Sequence, residues 1–148
     1  MREIKFRAWD GTAGAFIYSD KSDDDCFFEF THDGKLRGFV LVETSGTLDE
    51  PPGVKAEELE DLDQYTGLKD KNGKEIYEGD VVYGATLDDS KGYVFTVKWS
   101  SLQCGFSPFC DQVPCAADVY SEWVFDPKTL EVRGNIYENP GLLAGEKE

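Results

Sequence analysis

Apolar residues fall in short runs along this chain, two of them alternating with polar residues at a period of two, and turn residues separate the runs. From Glu3 to Trp9, Ile4, Phe6 and Ala8 fall on one side and Lys5, Arg7 and Trp9 on the other, which predicts a half-buried strand. Asp10-Gly11 turns the chain, and Ala15–Tyr18 reads as the returning strand. Lys21–Asp25 is a charged loop. The apolar runs Cys26–Phe30 and Leu36–Glu43 flank His32-Asp33-Gly34-Lys35; Asp-Gly supplies the positive φ of a hairpin turn, so a β-hairpin is expected. Pro51-Pro52-Gly53 breaks the chain. Lys55–Leu62 then reads as a short helix, with Glu57 and Glu58 in the first turn, where the helix dipole favours negative charge.

From Gln64 onward only strands and turns are predicted. The stretch QYTGLKDKNGKEIYEGDVVY, Gln64–Tyr83, holds an Asn72-Gly73 hairpin turn, a Tyr77-Glu78-Gly79-Asp80 corner and an apolar strand start, the opening of a small β-barrel. Tyr93, Phe95, Val97 and Trp99 share one face of a strand over Tyr93–Trp99. Val119–Phe125 is rich in β-branched and aromatic residues, and Leu130–Tyr137 is a last strand before Asn139-Pro140-Gly141. Short strands with turns between them suggest a barrel or roll over a layered α/β fold. Two regions are expected: residues 1–62, an N-terminal β region with an acidic insertion, and residues 63–148, the barrel.

With 148 residues the chain can bury a core without staples. Frequent Gly and a single Met suit strands and tight turns. No stretch approaches the ~20 apolar residues of a membrane span. MREIKFRAWDG lacks the apolar centre of a signal peptide, so a cytoplasmic protein is expected. Net charge is −15 and unevenly spread: residues 20–63 carry fourteen acidic against four basic residues, a net of −10. Such a surface repels phosphate backbones and attracts basic proteins, which makes nucleic acid a poor partner. The cysteines Cys26, Cys104, Cys110 and Cys115 show no CxxC spacing, so free thiols are expected rather than a metal site or disulfide.

Three blocks resemble the YopX-like family of phage and prophage proteins: MREIKFRAWDG at 1–11, QYTGLKDKNGKEIYEGDVV at 64–82 and GNIYENPGLL at 134–143. Their order and spacing fit as well, whereas residues 19–62 and 84–130 carry little of the likeness. The resemblance implies a mainly β fold with an SH3-like barrel (roll) in the C-terminal part, joined to the N-terminal β-hairpin region and short helix read above. It implies a bacterial host cell and supplies no catalytic residues. Asp63 departs from the apolar residue that family members tend to carry there, which bears on how deeply that strand is buried.

Residue chemistry points away from catalysis. Asp70 and Asn72 fit two positions of a calcium loop, but Leu68 and Gly79 would stand where its first carboxylate and its bidentate Glu are needed. His32 is the lone histidine and lies in a hairpin turn, so a Cys104/His32 dyad is a remote third alternative. Thirty acidic residues single out no carboxylate pair. Glu78 and Asp80 are expected to shape the corner around Gly79. Aromatic residues remain: among Trp9, Tyr65, Tyr77, Trp99, Phe106, Trp123 and Tyr137, most are expected in the core. An interaction surface is expected from Tyr65, Tyr77, Trp99, Phe106 and Trp123. The expectation is a non-catalytic protein–protein interaction module with no cofactor and no metal, binding a protein partner or its own copy as a homo-oligomer. Alternatives are an acidic inhibitor that mimics nucleic acid toward a basic host protein, and a small barrel that binds nucleic acid by stacking.

Overall fold

A computed structural model describes residues 3–21, 25–85, 92–101, 104–109 and 127–144. It is mainly β, with eleven strands and two 3-10 turns among the described residues. No helix there is long and apolar enough to cross a membrane. The chain divides into two compact units, residues 4–64 and residues 65–148 with 1–3.

In the first unit, β1 (Phe6–Asp10) and β2 (Ala15–Tyr18) form an antiparallel hairpin, with Ala8 opposite Ile17. β3 (Cys26–Phe30), β4 (Leu36–Thr44) and β5 (Gly53–Leu59) form a second sheet in chain order. Gly38 of β4 lies against β1: a Cβ there would come within 3.3 Å of the Ala8 Cβ and 3.1 Å of the Phe28 ring. A side chain there would press its neighbours apart by a few tenths of an ångström, and glycine avoids that.

Two expectations are corrected here. The helix expected over Lys55–Leu62 is absent, and β5 occupies the segment, paired with β4 from Gly38↔Leu59 to Thr44↔Gly53. An isolated helix of eight residues is marginal, whereas β4 offers a full-length partner. β1 is also more than half-buried. Lys5 and Arg7, placed on its polar side, are 8% and 4% exposed.

Arg7 can be buried because Asp63 stands directly opposite it where β1 meets β6 (Leu62–Lys69). Its Nε and Nη2 both donate to Asp63 Oδ2 at 3.0 Å, and its guanidinium lies 4.0 Å from the Phe16 ring centre. The Asp63 departure is therefore a cross-strand ion pair, and Asp63 itself is buried.

In the second unit, the end of β6 pairs with β7 (Glu75–Tyr77) across the Asp70–Lys74 turn. Gly79 leads into β8 (Asp80–Ala85), and β9 (Gly92–Ser100), β10 (Gly105–Phe109) and β11 (Glu131–Asn135) complete a curled sheet in the order β10-β9-β8-β11. Ile76, Val82, Phe95, Val97 and Leu130 form its core, with Leu68, Tyr93, Phe106 and Val132 packed around them. The expected strand Val119–Phe125 lies outside the described residues.

Candidate functional site

The first unit holds a cleft of about 400 Å³ between the β1–β2 turn and the β3–β4–β5 sheet. One wall is Trp9 to Ala13. Its shape is fixed locally, since Asp10 Oδ1 accepts the amides of Thr12 and Ala13 at 2.9 and 3.0 Å while the Asp10 carbonyl accepts Gly14 N–H at 2.8 Å. The Trp9 indole meets the Phe16 ring edge-on at 4.9 Å, and Trp9 N–H donates to the Asp61 carbonyl at 3.0 Å. Val40 and Val42 of β4 supply an apolar floor, and residues 57–61 close the other side.

The cleft is lined by the acidic residues Asp10, Glu57, Glu58, Glu60 and Asp61 and by no basic residue among those described; the side chain of Glu57 shares the sheet face of Val40, while that of Glu58 turns to the opposite face with Phe39. Glu58 is held by Arg37 Nη1 at 2.9 Å, and Glu57 lies 4.0 Å from Lys55 Nζ. Among the described residues no group of three or more His, Cys, Asp or Glu side chains could hold a metal ion. Carboxylates spread around an indole and an aliphatic floor suit an ammonium or guanidinium group on an apolar stem.

The sequence-predicted aromatic surface divides. Tyr65 and Tyr77 are 4% and 2% exposed, their rings 5.3 Å apart as opposite residues of β6 and β7. This is a correction: both spend their area inside the fold, because the hairpin turns that cross-strand pair inward. Trp99 is half exposed and meets Phe106, its cross-strand neighbour, edge-on at 5.2 Å. Trp123 lies outside the described residues. Trp9 does line the cleft.

The other candidates are placed structurally. Asp70 Oδ1 accepts the amides of Asn72 and Lys74 at 2.8 and 2.9 Å, and Oδ2 accepts that of Val132 at 2.9 Å. Burial pushes its carboxyl up, but the amides of Val132, Lys74 and Asn72 outweigh it and hold the pKa below the ordinary 3.8. Oδ1 is thus committed to the turn and Oδ2 to β11. Asp80 accepts the Tyr77 amide at 2.8 Å across the Gly79 corner. Cys26 and Cys104 are free thiols, buried and exposed respectively; Cys110 and Cys115 fall outside the described residues. His32 is exposed in its turn.

Glu57, Glu60 and Asp61 were not legible as site residues, because the helix expected over 55–62 has no pairing with β4 and so does not set them beside Val40 and the β1–β2 turn. Strand alternation would have placed Glu57 on the face of Val40, its register partner.

A family model described as YopX protein matches residues 5–144, which includes the long stretches that carry little motif likeness. None of the curated proteins matches the chain. Among solved structures, the crystal structure of protein EF1440 from Enterococcus faecalis is similar, with a TM-score of 0.53 and 23% identity over 97% of this chain and 99% of that one. That likeness is one of fold.

Proposed function

This chain belongs to the YopX protein family, and from that premise we propose that it is a phage or prophage accessory protein that acts without catalysis, by binding a basic protein in the host cytoplasm. The observation that carries the reading is the cleft of the first unit, lined by Trp9, Val40 and Val42 together with the acidic residues Asp10, Glu57, Glu60 and Asp61. Net charge supports it: the field of a chain at −15 raises the encounter rate with cationic surfaces. The second unit is read as an SH3-like barrel.

A basic surface that fits this cleft is one that also binds phosphate, so nucleic acid competes for the partner. Capture from infected or lysogenic cells should yield proteins that DNA displaces from this chain. Glu60→Gln with Asp61→Asn should weaken capture about tenfold, the scale of one to two charge-assisted contacts. Capture unchanged by the double substitution, or retained in ~0.5 M salt where surface charges are screened, sinks the reading.

A further inference from the structure

β5 pairs with β4 alone among the described strands, and six of its seven residues are exposed. Its orientation follows from hydrogen bonding. Leu41 N–H donates to the Asp25 carbonyl, so the odd-numbered residues of β4 turn their backbone groups toward β3 and the even-numbered ones toward β5. Their register partners Gly53, Lys55, Glu57 and Leu59 therefore bond to β4. Val54, Ala56 and Glu58 direct their N–H and C=O groups to the open edge. A strand of this length, with the N–H and C=O groups of three residues unspent among the described residues, is a template for another strand.

We propose that the occupant of this edge is a second copy of the chain, joined antiparallel through β5 with a two-fold axis at Ala56. In that register Ala56 faces Ala56, Val54 faces the partner's Glu58, and Lys55 faces the partner's Glu57. All six outward-facing residues of the two strands enter hydrogen-bonded pairs. The Lys55–Glu57 pairs fall at the non-hydrogen-bonded positions, where side chains lie closest. The smallest side chain of the outward three sits on the axis.

Charge also excludes the neighbouring registers. A slip by one pair in one direction sets Lys55 against Lys55, and in the other sets Glu57 against Glu57. Each slip also loses one hydrogen-bonded pair. Like charges directly opposite are unfavourable, so the sequence VKAEE specifies one self-pairing and opposes its competitors. A basic peptide added to the same edge gains no such register. Val54 and Ala56 lie on the sheet face of Phe39 and Leu41, so the aliphatic side chains of the two copies meet on that face at the axis, with Glu58 of each copy beside them.

Light scattering on the whole chain tests this, with mass rising from 16.6 kDa toward twice that as concentration increases. Lys55→Glu should weaken association about tenfold by replacing two attractive pairs with two repulsive ones, and Lys55→Glu with Glu57→Lys should restore it. Ala56→Cys should cross-link on mild oxidation, because paired residues at hydrogen-bonded sites lie ~5.5 Å apart, within disulfide reach. Peptide mapping should find the residue-56 peptide joined to itself. A monomer at every concentration overturns the proposal. So does a dimer that ignores Lys55→Glu and yields no such linked peptide.

Discussion

Asp70 shows how one side chain can hold a turn that backbone alone leaves loose. Two turns here share a geometry. Thr31 N–H bonds to the Lys35 carbonyl and Gly34 N–H to the Thr31 carbonyl; Asp70, Lys74 and Gly73 repeat the pattern, each glycine at φ 81°. Both were readable from Asp-Gly and Asn-Gly, because their geometry is set within five residues. The sequence could not show the reach of Asp70 Oδ2 to Val132, sixty-two positions away. Asp70→Asn replaces an oxygen with a donor that faces another donor, and should cost about 1–3 kcal/mol, read as a lowered denaturation midpoint. The native Asp70 pKa lies below its ordinary 3.8, so its stabilisation is complete above that value and is lost as pH falls through the lower native pKa. An acid titration followed by circular dichroism should show a shallower loss of stability below pH ~4 for Asp70→Asn than for the wild type.

Elements were legible in proportion to how locally they are determined. β2, β3 and most of β4 and β9 lie where apolar runs and flanking turn residues put them, since their bounds are set by neighbours close in the chain. β5 was not, because KAEEL has weak strand preference and acquires its state from β4. The polar side of β1 was misread for a related reason: a charge that looks solvated in sequence is buried when its counterion arrives from fifty-six residues away. The Arg7–Asp63 pair gives a test at this scale. Asp63→Ala leaves a buried guanidinium without that carboxylate and should cost about 3–5 kcal/mol, while Arg7→Met with Asp63→Leu should cost much less. Urea denaturation of the three proteins decides it. Equal losses in the single and double variants would mean that packing, and not charge, holds β1 to β6.

At the scale of the whole molecule, the same charge acts with opposite sign on folding and on binding. The acidic excess of residues 20–63 was plain from composition, but the cleft was not, since it is assembled from three separated segments, 9–13, 40–42 and 57–61. Fourteen carboxylates against four cations in one stretch repel one another most when the chain is compact. The unfolded chain spreads that charge, so the repulsion subtracts from stability at low ionic strength. Salt screens it: at ~0.5 M the Debye length falls to a few ångströms. Raising NaCl from about 20 mM to ~0.5 M should therefore raise the melting temperature by several degrees. The same change should weaken capture of a basic partner, because there the charges attract. Neutral sucrose separates screening from general exclusion effects, since it favours the compact state without shielding charge. If salt lowers the melting temperature, the ion pairs Lys5–Asp20 and Arg37–Glu58 outweigh the acidic excess, and the cleft loses its electrostatic rationale.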